Sequence, residues 1–101
     1  ARGQAASVPL TPAPPPLAEP AATYRVQLGA FSSATRARSE WQGAVRSYPA
    51  QLAGLSYTMV KTGAGSSMLF RLQTSRVTER RARAICDALK GAGQACVVVL
   101  P

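Results

Sequence analysis

The segment of residues 24–31 constrains the fold most, because apolar and polar side chains alternate along it with a period of two. Such alternation is typical of a β-strand that buries one face and exposes the other. The apolar positions are Tyr24, Val26 and Leu28, and the positions between them are Arg25, Gln27 and Gly29. We therefore predict a half-buried strand whose outer face carries a guanidinium, a carboxamide and bare backbone, all suited to hydrogen bonding.

A partial copy of this pattern lies later in the chain. Residues 71–73 repeat the Arg-x-Gln pattern of residues 25–27, at an offset of 46 positions and inside the apolar run 68–72. Alternation places Arg71 and Gln73 on the outer side of this second strand. The chain is therefore predicted to consist of two related halves, each beginning with a strand.

The first of two predicted helices follows residue 31 directly. Ser32 or Ser33 can accept a hydrogen bond from a free backbone N–H and so cap the helix, and Pro49 ends it near Tyr48. Apolar residues recur at three- and four-residue steps, which predicts one buried stripe. The stripe comprises Ala34, Ala37, Trp41, Ala44, Val45 and Tyr48.

The second helix is predicted to begin near Val77 or Thr78 and to end at Gly91 or Gly93. Its apolar residues have the spacing of a single helix face, so this helix should also pack against the sheet. The residues on that face are Ala82, Ile85, Cys86 and Leu89.

Three further strands are predicted at residues 55–60, 68–73 and 96–100, with a hairpin loop at 62–67. The pattern of residues 55–60 leaves their facing undecided. The order strand, helix, strand, strand, helix, strand predicts an α+β, ferredoxin-like fold, in which a four-stranded antiparallel sheet has two helices on one face. The other face would be open, and on it would lie Arg25, Gln27, Arg71 and Gln73.

The two cysteines fall close together in this arrangement. Cys86 lies on the apolar face of the second helix and Cys96 begins the last strand. We predict a disulfide between them and an oxidising compartment; the alternative is a pair of free buried cysteines in a cytosolic protein. If Cys96 faces the helix, alternation turns Val98 inward and leaves Val97 and Val99 on the open face.

Residues 1–23 differ in composition from the rest, since most of the eight prolines lie there among alanine, serine and threonine. Such a segment favours extended polyproline II structure, so we predict a linker at 1–23 in front of one domain at 24–101. No apolar run in the chain is long enough to cross a bilayer, and any membrane anchor is expected outside these 101 residues.

The charge balance is strongly basic, with 12 Lys and Arg against 4 Asp and Glu, a net charge of +8. Residues 1–23 hold one base, Arg2, and one acid, Glu19, so the whole excess belongs to the predicted domain. Most of the bases are arginine, which suits bidentate recognition of carboxylate or phosphate. A polyanion is the first partner to consider, and a merely solvated basic surface is the alternative.

The absence of histidine excludes histidine-dependent catalysis and imidazole metal sites. The four acidic residues offer no convincing carboxylate pair, and residues 63–65 lack the lysine and the spacing of a phosphate loop. We therefore predict no catalytic residue, no metal and no cofactor. The chain is expected to be a binding domain, which can be attached to an enzyme.

Two segments carry a resemblance to a known family. Residues 24–33 place a glutamine, a glycine and an aromatic residue ahead of a serine-rich helix start, and residues 88–93 close the second helix with Ala-Leu-Lys-Gly-Ala-Gly. A proline-rich segment precedes both. In this combination, residues 24–100 resemble the SPOR (sporulation-related) domains, bacterial cell-envelope modules that bind peptidoglycan.

The resemblance implies a ferredoxin-like fold, a periplasmic location at the division septum, and affinity for glycan strands that lack stem peptides. Septal division proteins are further candidate partners, and we expect a monomer. The family's ligand positions correspond here to Gln27, Ala30, Leu69, Arg71 and Val97. With the other outward residues, the predicted ligand-binding set is Arg25, Gln27, Gly29, Ala30, Leu69, Arg71, Gln73 and Val97.

The chain departs from the family pattern in two places. Ala30 and Leu69 stand where some members have a serine and an aromatic residue, and residues 73–75 replace the glycine-centred turn of many members. These differences concern the contacts with a ligand more than the fold.

Two other functions are compatible with the sequence. RNA-recognition domains share the fold and the basic charge, and they stack bases on aromatic side chains of the sheet. Alternation turns Tyr24 and Phe70 inward, which leaves Tyr57 as the one aromatic candidate for the open face, and no nucleic acid is expected. A protein-interaction module of the septum is the third candidate.

We expect limited proteolysis to remove residues 1–23 and leave a resistant domain at 24–101. A segment rich in proline and alanine has too little apolar surface to offset the entropy of ordering it. Mass spectrometry of the digest would locate the boundary. Strong amide protection throughout residues 1–20 would contradict this division of the chain.

Overall fold

The structure, a computed structural model, describes residues 21–101 of the chain. The predicted linker therefore lies outside the described residues up to position 20, and residues 21–23 are exposed without regular secondary structure. From there the order is βαββαβ. The strands are β1 (Arg25–Phe31), β2 (Tyr57–Thr62), β3 (Leu69–Thr74) and β4 (Val97–Val99), and the helices are α1 (Ala34–Ser47) and α2 (Glu79–Gly91).

The four strands form one antiparallel sheet in the order β2-β3-β1-β4. Side chains from the sheet and from both helices share a single core cluster, so the helices cover one face of the sheet. This arrangement confirms the predicted α+β, ferredoxin-like fold. The two strands that carry the Arg-x-Gln pattern, β1 and β3, are neighbours at the centre of the sheet.

The core lies between the sheet and the helices. Val26 and Leu72 are fully buried at the centre of β1 and β3, and Ile85 and Leu89 of α2 pack into the same cluster. Thr74 is also fully buried, and its hydroxyl accepts a hydrogen bond of 3.0 Å from the backbone N–H of Val26. A buried polar side chain is tolerated here because it satisfies a backbone donor of the neighbouring strand.

Both helices begin at side-chain caps, of which the sequence predicted the one on α1. The Ser33 hydroxyl accepts from the backbone N–H of Arg36 at 3.0 Å, so Ser33 rather than Ser32 is the cap of α1. Thr78 caps α2 in the same way. The stripe of α1 was predicted one residue too wide, since Val45 is 38% exposed. Successive helical residues are rotated by about 100°, which turns Val45 past the edge of the face centred on the buried Trp41 and Ala44.

The strand boundaries differ from the predicted ones by one or two residues. β2 spans 57–62 instead of 55–60, because a turn bonded from Leu55 N to Leu52 O holds the preceding residues. Leu52, in the segment between α1 and β2, is buried in the core. β3 spans 69–74 instead of 68–73.

β4 contains three residues instead of the predicted five. Its ladder with β1 ends at Gln27, next to an irregularity in β1. Beyond that point the side-chain amide of Gln94 donates to Leu28 O at 3.4 Å, where a longer β4 would have run.

The irregularity in β1 is a β-bulge at Leu28. Gln27 lies opposite Gln73, but Gly29 lies opposite Leu72, so two steps along β1 match one step along β3. An extra residue in one strand reverses the alternation of everything after it. Ala30 is therefore opposite Arg71 on the open face, and Gly29 is not on that face as simple alternation had predicted.

A disulfide joins Cys86 of α2 to Cys96, the residue before β4, with the Cα atoms 5.2 Å apart. This confirms the predicted pairing. Both cysteines are buried, and Val98 packs against the core, while Val97 is exposed. The bond therefore fastens a short edge strand, held to the sheet by three register pairs, to the helix above it.

Reduction of this disulfide should destabilise the domain by about 2 to 3 kcal/mol, the loop-closure entropy expected for a 10-residue separation. Urea unfolding of the oxidised and the reduced protein would measure the difference. A Cys86→Ala/Cys96→Ala variant is the control, because its unfolding should not respond to reductant. Equal stability of the parent protein in both redox states would contradict the expectation.

Candidate functional site

Four side chains form a row across the open face, one from each strand. Thr58 of β2 lies opposite Gln73 of β3, and Gln73 lies opposite Gln27 of β1. Gln27 in turn lies opposite Val97 of β4. Directly opposed residues of antiparallel strands project from the same face, so this row crosses the entire sheet. It is polar on β2, β3 and β1 and ends in the apolar Val97 on β4.

The two glutamines at the centre of the row are bonded to each other. Gln73 Nε2 donates to Gln27 Oε1 at 3.2 Å, and Gln73 is only 7% exposed although it lies on the open face. Each carboxamide has two donor hydrogens and an acceptor oxygen, so one mutual bond leaves most of their capacity unused. The pair can therefore both donate to and accept from a ligand laid on the sheet.

Arg25 lies at one side of the glutamine pair. It is two positions before Gln27 on β1, opposite Val99 of β4. Its side chain reaches towards β3, where Nη1 donates to Thr74 O at 2.9 Å. This bond holds the half-buried guanidinium in a defined place and leaves its other N–H groups free to bind an acceptor.

Arg71 lies at the other side of the pair, two positions before Gln73 on the antiparallel strand β3. Its neighbours across the sheet are Ala30 of β1 and Val60 of β2, both exposed. A small and a branched apolar neighbour leave room above the sheet for its half-buried guanidinium. Leu69, at the start of β3, is exposed beside Thr62 and extends the face further.

The structure thus brings most of the predicted ligand-binding residues onto one surface and displaces one. Arg25, Gln27, Ala30, Leu69, Arg71, Gln73 and Val97 all lie on the open face. Gly29 faces the helix side, where the ring of Phe31 lies so close that a Cβ on Gly29 would be 2.8 Å from Phe31 Cζ. Only its backbone remains available to a ligand.

Sequence reasoning missed the contribution of β2 to this surface. Thr58, Val60 and Thr62 lie on the open face because they oppose outward residues of β3. Leu55, Tyr57 and Met59 alternate with Ser56 and Thr58, but Val60 breaks the alternation, so the pattern does not extend along the whole strand. The register with β3, which depends on the hairpin, is the signal that decides the facing.

The same register settles the facing of Tyr57. This ring packs against the core, with its centroid 5.7 Å from that of Trp41. Each of the six aromatic side chains of the chain is part of the core or packs against it: Tyr24, Phe31, Trp41, Tyr48, Tyr57 and Phe70. The open face therefore has no aromatic platform on which a base could stack.

The charges are distributed unequally between the two faces. The three acidic residues within 21–101 are Glu40 on α1 and Glu79 and Asp87 on α2. The single ion pair of this part of the chain joins Glu79 to Arg83 at 2.9 Å on the exposed side of α2. The open face thus has two arginines and no acidic side chain to neutralise them.

Residues 21–101 form neither a concave site nor a metal-binding cluster. This part of the chain contains no pocket and no cluster of three or more residues suited to holding a metal ion. None of its helices has the length and apolar character needed to cross a membrane.

Comparison with known proteins gives one informative likeness. No family model and no curated protein matches the chain. The solution structure of the peptidoglycan binding domain of the B. subtilis cell wall lytic enzyme CwlC is similar to it, with 22% sequence identity and a TM-score of 0.51. The similarity covers 77% of this chain and 87% of that domain. At this identity it shows that the two share a fold.

Two structures of CutA from Synechococcus elongatus are more distant, each with a TM-score of 0.41. The first has 20% identity over 82% of this chain and 80% of that chain. The second, a complex with Bis-Tris, has 19% identity over 82% and 84%.

Replacing Gln27 by Leu should destabilise the fold by about 1 to 3 kcal/mol, because the nearly buried Gln73 amide then loses its acceptor. Replacing both glutamines by Leu should restore much of that loss, because no polar group is left unpaired. Urea denaturation of the single and double variants would measure both effects.

The matched control is Gln42→Leu, the same chemical change at an exposed position of α1. Its effect should stay within about 0.5 kcal/mol. Gln73→Leu completes the comparison. If the losses of Gln27→Leu and Gln73→Leu simply add in the double variant, the pair is not energetically coupled.

Proposed function

We propose that residues 24–101 form a non-catalytic binding module for peptidoglycan, which recognises glycan strands lacking stem peptides and brings a larger protein to them. The observation that carries the proposal is the continuous open sheet face, with polar side chains in a row across β2, β3 and β1 and two arginines that have no acidic partner within residues 21–101. This face is set on a fold that is shared with the peptidoglycan binding domain of a cell wall lytic enzyme.

The glutamine pair matches the uncharged part of such a ligand. A peptidoglycan strand exposes sugar hydroxyls and acetamido groups. Both kinds of group donate and accept hydrogen bonds. The free donors and acceptors of Gln27 and Gln73 are complementary to these groups. Val97 and Ala30, both exposed beside the pair, can lie against the apolar faces of the sugar rings.

The arginines match the charged part. Removal of the stem peptide by an amidase frees the lactyl carboxylate of the sugar, and arginine binds carboxylates with two parallel hydrogen bonds. Because Arg71 forms no ion pair within residues 21–101, its guanidinium can take such a carboxylate without breaking an internal contact. This supports a preference for strands without peptides over intact peptidoglycan.

The location that we propose is the bacterial cell envelope, in the periplasm and at the division septum. The disulfide between Cys86 and Cys96 fits an oxidising compartment. The proline-rich residues 1–23 would serve as the linker to the rest of the protein. A module of this size would act as a monomer, and septal division proteins remain candidate partners of the same domain.

A nucleic-acid-binding function is less well supported. Domains of this fold that bind RNA stack bases on aromatic side chains of the open face, and every aromatic ring here packs against the core instead. The basic charge alone does not distinguish the ligands, because of the basic residues on the four strands only Arg25 and Arg71 lie on the open face.

Binding to purified sacculi, with and without prior amidase treatment, tests the proposal. Amidase treatment should increase binding, and Arg71→Ala should weaken it by about ten- to hundredfold, the usual cost of one charge-assisted hydrogen bond. The control is Arg80→Ala, which removes the same charge from an exposed position of α2 on the far side of the sheet and should have no effect.

The salt dependence of binding distinguishes a glycan ligand from a nucleic acid. Added salt should reduce binding to sacculi only in part, because the glutamine contacts are uncharged, whereas binding to nucleic acid would fall steeply. If Arg71→Ala and Arg80→Ala weaken binding to sacculi equally, the loss reflects the net charge of the domain and not a site on the open face. Displacement of the glycan by single-stranded nucleic acid at physiological salt would favour the nucleic-acid function.

A further inference from the structure

The two arginines of the open face lie on opposite sides of the glutamine pair. Arg25 is two positions before Gln27 and Arg71 is two positions before Gln73, and β1 and β3 run in opposite directions. Equal offsets on antiparallel strands point in opposite senses along the sheet. The order along the centre of the face is therefore one guanidinium, two carboxamides, and the second guanidinium.

The hydrogen bond of Arg25 fixes the position of its guanidinium along the face. Its Nη1 lies 2.9 Å from the carbonyl oxygen of Thr74, and Thr74 follows Arg71 by three positions on β3. At about 3.3 Å per strand residue, the anchored guanidinium is roughly 10 Å along β3 from the backbone of Arg71. Two successive sugar rings can span such a distance.

We propose that the open face binds two carboxylates on alternate sugars of one glycan strand, one at Arg25 and the other at Arg71. The sugar between them, which has no carboxylate, lies over Gln27 and Gln73. This inference rests on the proposed function and adds to it the chemical class of the ligand and its orientation. The strand runs along β1 and β3 rather than across the sheet.

The residues around the two arginines favour the binding of carboxylates. Within residues 21–101, the open face has no acidic side chain that would repel the ligand or occupy either guanidinium. Both arginines are half-buried on a rigid central strand, so their side chains lose less freedom on binding than exposed arginines would. A glycan that has the same backbone without lactyl groups could use the glutamines but neither arginine.

Calorimetric titration of the full 101-residue chain with three glycans tests this. The first is strands freed of stem peptides by amidase, the second is the same strands with carboxyl groups converted to neutral amides, and the third is chito-oligosaccharides of matched length. The parent protein should bind the first at least about tenfold more tightly than the other two.

Protein variants then assign the carboxylates to residues. Arg25→Gln and Arg71→Gln should each weaken binding to the carboxylate strands by about tenfold and change binding to the amidated strands little. Their losses should multiply in the double variant. Arg80→Gln, on α2, should leave all three affinities unchanged. Arg25→Lys, which keeps a charge and a donor for Thr74 O, should retain most of the affinity of the parent protein.

The outcomes separate this inference from the proposed function. Equal affinity for carboxylate strands and chito-oligosaccharides would overturn the binding of carboxylates while leaving glycan binding intact. If Arg25→Gln weakens binding to amidated and carboxylate strands alike, Arg25 acts by supporting the sheet through Thr74 and does not bind a carboxylate. That result would also overturn the inference. Failure to bind any of the three glycans would overturn the proposed function itself.

Discussion

The pairing of β1 with β3 is the interaction on which the rest of the structure depends. It brings the two Arg-x-Gln segments together at the centre of the sheet, with Gln27 opposite Gln73. Val26 and Leu72, from the same two strands, are fully buried on the helix face. A slip of one residue in this pairing would send the apolar side chains to solvent and the arginines into the core, so burial itself fixes the register.

The bulge at Leu28 allows one strand to satisfy two different requirements. Before the bulge, alternation puts Gln27 on the open face; after it, Ala30 returns to that face opposite Arg71. The exposed backbone that a bulge creates is also satisfied, because Gln94 donates to Leu28 O. Bulges of this kind commonly occur near binding sites, where they re-aim side chains.

The separation of charge between the faces bears on function more than the net charge does. The domain has a net charge of +8, but the acidic residues and most of the basic ones lie on the helices and loops. What a ligand meets on the sheet is two arginines, two carboxamides and small or apolar residues. Such a surface suits a mostly uncharged polymer with occasional anionic groups better than a continuous polyanion.

The disulfide extends the same organisation to the edge of the sheet. β4 is only three residues long, and an edge strand of that length has few hydrogen bonds to hold it. Cys96 ties it to α2 directly before Val97, which ends the polar row on this side. The disulfide therefore stabilises one edge of the candidate binding surface as well as the fold.

The sequence by itself determined the order of elements, the serine cap of α1, the cysteine pair and the outward facing of Arg25, Gln27 and Arg71. These follow from local periodicity and from chemistry within a few residues. The facing of Val60 and Thr62 in β2, the bulge at Leu28 and the short β4 were decided only by the tertiary structure. Each depends on which residue of a distant strand lies opposite, and strand register is a non-local property that one strand's own pattern does not contain.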